Sequence, residues 1–131
     1  MVESVGPGVT KFKPGDRVLI SAVLCCGECS YCRVGRTALC PTLNPSGTTE
    51  TQMGGRNAGL MGNGHLNGGY SGGQAERVRV PFSDINLLSV PDDLTDTQAL
   101  LLTDIVCTGW HGLELTNVSE ASIVCVWGGG K

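Results

Sequence analysis

The chain has 131 residues and a net charge of −3, with nine basic and twelve acidic side chains. It reads as one ordinary domain, or a domain plus a stub, without the electrostatic footprint of a nucleic-acid or acidic-membrane partner. No apolar run approaches the ~18 residues of a membrane span, and the start Met1-Val2-Glu3 carries no export signal, so a soluble, cytoplasmic protein is expected.

Twenty glycines and only 5% aromatics leave a core that must come from Val, Ile and Leu. Val2–Val5 and Arg17–Val23 read as strands, separated by the turn signals Gly6-Pro7-Gly8 and Pro14-Gly15-Asp16. Cys26, Cys29, Cys32 and Cys40 then follow in the order C-x2-C-x2-C-x7-C. Four thiolates in one short loop match the tetrahedral demand of Zn²⁺ and leave no open position, so such a site is structural. Gly27 and Gly35 supply turns between the ligands. The same opening also begins a ferredoxin-type run, with Pro41 after the last cysteine, although seven residues replace the usual three before it. Disulfides are the third reading, weakened by an odd total of seven cysteines. Two adjacent cysteines rarely both ligate one ion, so Cys25 either substitutes in the set or packs.

From Pro41 to Gly73 the sequence is rich in Gly, Asn, Ser and Thr without periodicity, and a functional loop or a disordered insertion is expected there. His65 lies in this stretch as a solvent-exposed residue with no assigned role. The segment 74–80, QAERVRV, alternates polar and apolar residues, and Ile85–Val90 adds an apolar run; both read as strands. Thr95-Asp96-Thr97-Gln98 has the form of a capping box, so a helix begins near Asp96 and runs as far as Leu115, with weak points at Gly109 and Gly112. Within it Cys107 reads as a small buried hydrophobe, and Trp110 and His111 as packing or lining residues. Ser122–Trp127 reads as a strand that enters Gly128-Gly129-Gly130.

A strand ending in glycines is the first half of a dinucleotide-binding fingerprint. Taken in order, VESVGPGVTKFKPGDRV, CGECSYC with a fourth cysteine eight positions on, GGYSGGQAERVRVP, LLTDIVCTGWHG and IVCVWGGG resemble the medium-chain zinc-dependent alcohol dehydrogenase superfamily along essentially the full chain. The nearest likeness is to the formaldehyde-dehydrogenase-like branch, whose members carry Asp where other alcohol dehydrogenases have a third catalytic-zinc cysteine. Asp104 stands in that place. Lys131 and the absent third glycine depart from the pattern.

The resemblance implies a mainly β fold. Residues 1–97 would form a partial GroES-like β-barrel with a structural zinc lobe at 25–41, and 98–131 a helix and the first strand of a truncated Rossmann domain. It further implies that Cys26, Cys29, Cys32 and Cys40 hold structural Zn²⁺ and that Asp104 gives an oxygen to a catalytic zinc. Thr108 would lie against the nicotinamide of NAD or NADP, and Gly128 and Gly130 would be the first two glycines of the fingerprint. An alcohol or aldehyde is the implied substrate, and a homo-oligomer the implied state of the full-length parent. Asp104 alone cannot close a catalytic site that needs three protein ligands. The expected function is therefore a fragment of a zinc-dependent oxidoreductase, inactive by itself and prone to aggregate through unpaired edges. The alternative is a stand-alone structural zinc-binding or interaction module.

Overall fold

In the computed structural model, which describes residues 1–45 and 48–129, the run Arg17–Val23 does not form one strand. Val18–Ile20 (β1) pairs antiparallel with Leu87–Ser89, and Val23–Leu24 (β2) pairs antiparallel with Gly59–Leu60 (β3), so that Leu87–Ser89 is β4. The register places Val18 opposite Ser89 and Ile20 opposite Leu87 in one sheet, and Leu24 opposite Gly59 in the other. Ser21 and Ala22 make the switch. The Ser21 hydroxyl donates to the Val23 carbonyl at 2.6 Å and its amide to the Asn86 carbonyl at 2.9 Å, while Ala22 accepts from the Met61 amide at 3.0 Å. A side chain that bonds its own backbone two residues on turns the chain, and each half finds a different partner.

Three expected strands do not form. Val2 is held by paired backbone bonds, its amide to Asp16 and its carbonyl to Gly15, both at 2.9 Å, but Val2–Val5 builds no ladder. The segments 74–80 and Ser122–Trp127 likewise lie outside any sheet, and Ile123 and Trp127 are fully exposed. Alternation or apolarity selects a strand only where a neighbour supplies a run of backbone partners, and among the described residues the pairing stops at Val2. The two small sheets do not close into a barrel among the described residues; the fold is mostly coil, with short strands and short helices.

The described residues of 41–73, expected as a functional loop or a disordered insertion, hold local structure and buried side chains. They carry a helix at Thr48–Met53, strand β3 and a 3₁₀ turn at His65–Asn67, and they bury Leu43, Asn44, Ala58 and Asn67. The glycines serve contact here. A Cβ at either Gly59 or Gly68 would stand 2.6 Å from the Tyr70 ring and within 2.8 Å of the Leu43 carbonyl oxygen. Asn44 donates to the Leu66 carbonyl at 3.0 Å and to the Asn57 side chain at 3.1 Å, and Asn57 in turn bonds Asn67. Amide side chains thus give the segment the internal order that apolar periodicity does not.

The core is not the expected Val, Ile and Leu. Its buried cluster is Leu24, Cys25, Cys26, Cys40, Leu43 and Ala58, with Cys29, Cys32, Met61, Tyr70 and Val80 packed around it. Cysteine behaves as a small apolar residue in such a setting, so the cysteine loop and the core are one object.

The capping box forms as expected. The Gln98 amide donates to Thr95 Oγ1 at 3.3 Å and the Thr95 amide to Gln98 Oε1 at 2.9 Å, starting a helix at Asp96–Leu101. Arg17 anchors this start to the edge of β1, donating 2.7 Å to Asp96 and 2.9 Å to the Leu94 carbonyl. The helix breaks after one and a half turns rather than running to Leu115. Thr103 Oγ1 donates back to the Leu100 carbonyl at 2.8 Å, and a second helix, Ile105–Leu115, begins after Asp104 and passes through Gly109 and Gly112. It buries no residue: Cys107, Trp110 and His111 all stand exposed, contrary to the core or lining places expected of them. No described helix is long and apolar enough to cross a membrane.

Replacing Thr95 by Ala removes one side of the capping box and is expected to lower stability by about 1 kcal/mol. Urea unfolding checks this, with an unchanged midpoint as the contrary result.

Candidate metal centre

The cysteine loop is built from tight turns. Its first half leaves β2 at Cys25, turns at Gly27 with φ of 82°, and enters a single helical turn at Ser30–Arg33; its second half turns at Gly35 with φ of 78° and passes through a 3₁₀ turn at Thr37–Leu39 to Cys40. Both positive φ values fall where L side chains are strained. At Gly27 a Cβ would also stand 3.0 Å from Ile85 Cδ1. The Arg33 amide bonds the Cys29 carbonyl at 3.0 Å and the Arg36 amide the Tyr31 carbonyl at 2.9 Å. These local bonds fold the chain back so that Cys40 returns to Cys26.

The outcome is a shell of four sulfurs. The Sγ atoms of Cys26, Cys29, Cys32 and Cys40 all lie within 4.8 Å of one another, with Cys26 to Cys32 at 4.0 Å and Cys29 to Cys40 at 3.9 Å. A tetrahedral ion bound at ~2.3 Å to each of four thiolates sets its sulfurs roughly 3.8 Å apart, so two opposite edges already have that length. Backbone amides point at the sulfurs: Glu28 and Cys29 donate to Cys26 Sγ at 3.5 and 3.4 Å, and Cys26 donates to Cys40 Sγ at 3.4 Å. Such donors stabilise negative sulfur.

The electrostatics point the same way. Burial opposes ionisation of Cys26, yet the Thr42 hydroxyl and the amides of Glu28 and Cys29 outweigh it and bring this thiol down to about 6. Burial, and then the neighbouring Cys29 and Cys40 side chains, push Cys32 up to about 12. Ionisation is thus favoured at Cys26 and opposed at Cys32, as sulfurs that share one small volume without a cation dictate. A divalent cation reverses that penalty. The donor set, its spacing and its hydrogen bonds therefore fit Zn²⁺ bound by four cysteines.

Other sequence-predicted residues lie outside this shell. Asp104 and Thr108 are brought together, Thr108 Oγ1 donating to Asp104 Oδ1 at 2.7 Å and the Thr108 amide to the Asp104 carbonyl at 2.8 Å. Both are exposed, and neither joins the cysteines. Gly128 has φ of 75° and open space around it, while Gly130 lies outside the described residues. His65 is exposed, as expected. Sequence reasoning missed Asn86, which is 1% exposed and bonds both the amide and the carbonyl of Cys25, at 2.9 and 2.8 Å. A lone amide inside the apolar run Ile85–Val90 was the available signal, since buried polar groups require partners.

The family model described as alcohol dehydrogenase GroES-like domain matches residues 1–92. A zinc-type alcohol dehydrogenase-like protein of Schizosaccharomyces pombe is 37% identical over 130 residues, covering 99% of this chain and 31% of its own length. A glutathione-independent formaldehyde dehydrogenase of Pseudomonas aeruginosa is 35% identical over 133 residues, covering 98% of this chain and 31% of its own. Among solved structures, the alcohol dehydrogenase TADH from Thermus sp. ATN1 matches with a TM-score of 0.72 at 35% identity, over 88% of this chain and 29% of that one. The chain spans about a third of the length of the curated relatives it matches.

Substituting Gly27 by Ala forces a side chain into a left-handed turn against Ile85 and is expected to destabilise the metal-loaded protein by ~1–2 kcal/mol. Guanidinium unfolding of the two proteins gives the comparison; equal midpoints would show that the turn tolerates a side chain.

Proposed function

Because the chain belongs to the alcohol dehydrogenase GroES-like domain family, we propose that it is the structural-zinc part of an oxidoreductase that moves a hydride between an alcohol or aldehyde and NAD or NADP. The four-sulfur shell carries this reading. Cys26, Cys29, Cys32 and Cys40 hold one Zn²⁺ with no position left for substrate, so the ion shapes the fold and takes no part in chemistry. An iron–sulfur cluster of several atoms fits poorly, since it would hold its cysteines farther apart than 4.8 Å. Disulfides also fit poorly: all seven cysteines are free thiols, and the paired sulfurs stand near twice the bonded distance of ~2.05 Å.

The catalytic assignments extend the same reading. Asp104 offers a carboxylate to a second zinc, which when bound polarises the alcohol oxygen as a Lewis acid. Thr108 holds the Asp104 carboxylate by its 2.7 Å hydrogen bond, orients it as an outer-shell donor does, and contacts the nicotinamide from the same helical face. Residues 1–97 form the GroES-like domain, and 98–131 open a dinucleotide-binding domain. There the left-handed turn at Gly128, with Gly130, lets the backbone approach a pyrophosphate. With Asp104 as its single ligand to the second zinc, the stretch 1–131 is expected to show no turnover on its own, because such a site takes three protein ligands.

Elemental analysis and a visible spectrum of the purified chain test the metal reading. About one zinc per chain, with no absorbance near ~400 nm, is the expected result. Metal-free protein that takes up no zinc, or a brown iron-containing sample, would overturn it.

A further inference from the structure

We infer that Asn86 decides which of two adjacent cysteines enters the ligand set, holding Cys25 out of the shell and Cys26 in it. The inference rests on the four-sulfur shell being the metal site proposed above. Cys25 and Cys26 are consecutive, both buried and both free thiols, so each is chemically able to ligate. A tetrahedral ion that already holds Cys29, Cys32 and Cys40 has one position left and takes only one of the two. What fixes the backbone at this junction therefore fixes the ligand.

Asn86 supplies that constraint through both ends of its amide. Oδ1 accepts the Cys25 N–H at 2.9 Å and the Cys25 Sγ at 3.5 Å, while Nδ2 donates to the Cys25 carbonyl at 2.8 Å. The remaining donor capacity of Nδ2 goes to the carbonyls of Pro81 at 2.9 Å and Phe82 at 3.2 Å. Cys25 is thus gripped as a strand neighbour would grip it; its thiol meets both Asn86 Oδ1 and the Cys32 side chain, yet it stands outside the group of four sulfurs. Cys26 then faces Cys40, donating its amide to Cys40 Sγ at 3.4 Å, and brings its own sulfur to 4.0 Å from Cys32.

The clamp is itself anchored away from the shell. Asn86 ends the short helix Ser83–Asn86, its amide bonds the Phe82 carbonyl at 3.1 Å, and its carbonyl accepts the Ser21 amide at 2.9 Å. Phe82 takes a left-handed φ of 48° to start that helix, a conformation uncommon for an aromatic residue. Asn86 reaches no ligand sulfur among its bonds. It is a positioning residue, acting on the metal through the backbone on which Cys26 sits.

Cobalt(II) is the probe, since its thiolate charge-transfer absorption counts bound sulfurs. Cys25→Ser should keep the full intensity of the unaltered chain. Cys26→Ser should lose about a quarter of it, or lose binding altogether. Asn86→Ala alone should weaken cobalt binding by about 10–100-fold, and Cys26→Ser combined with Asn86→Ala should regain the lost intensity as the released Cys25 turns inward. Full four-thiolate intensity in Cys26→Ser with Asn86 intact would overturn the inference. The pair Cys25→Ser and Cys26→Ser decides which cysteine ligates, and Asn86→Asp, which keeps the shape but loses the Nδ2 donor to the Cys25 carbonyl, tests the clamp if Asn86→Ala fails to fold: cobalt binding as tight as in the unaltered chain would overturn the role of Asn86. An unaltered chain that takes up no cobalt would instead overturn the metal-site reading.

Discussion

Four sulfurs held within 4.8 Å of one another impose the constraint from which the rest of this structure follows. Thiols packed so closely resist ionising together, and the opposite displacements of Cys26 and Cys32 express that resistance. A bound divalent cation turns the same proximity into the strongest set of contacts in the molecule. Because Cys26 and Cys40 belong to the buried cluster with Leu24, Leu43 and Ala58, the shell is also the middle of the hydrophobic core. A chain with few aromatics thus gains a centre that apolar packing alone does not give it.

Much of the buried structure touches this centre within one or two steps. β2 delivers Cys25 and Cys26; β3 covers β2; and the Ala58 amide bonds Ala38, inside the loop, at 2.7 Å. The second sheet is tied on through Asn86, whose backbone meets Ser21 and whose side chain grips Cys25. Away from it burial declines: the helix Ile105–Leu115 buries nothing, and Ile123, Val126 and Trp127 lie open to solvent. This gradient agrees with a structural role for the proposed metal, and Asp104 and Thr108 stand exposed outside the cysteine group.

What the sequence disclosed was what short-range chemistry determines. The cysteine spacing that gathers four sulfurs, the turns at Gly27 and Gly35 and the capping box at Thr95 each depend on residues a few positions apart, and each appears as read. The division of Arg17–Val23 into β1 and β2 was not legible, because it depends on partners at 59–60 and 87–89. The order in residues 41–73 was hidden for a related reason: side-chain amides and glycine contacts with Tyr70 leave no periodic trace. Asn86 acts on Cys25 across 61 positions, so only the oddity of an amide in an apolar run pointed to it. The strand expected at Ser122–Trp127 shows the reverse error, since apolarity without a neighbour gives exposure rather than a sheet.

The central claim is that the metal organises the core rather than decorating it. Amide hydrogen exchange before and after chelation tests this most directly, because it reads protection residue by residue. Removal of the metal should abolish protection at Cys26, Cys40, Ala58 and Met61 while leaving the Thr95-capped helix unchanged at Ala99. Unaltered protection at Ala58 and Met61 in the metal-free protein would contradict the account.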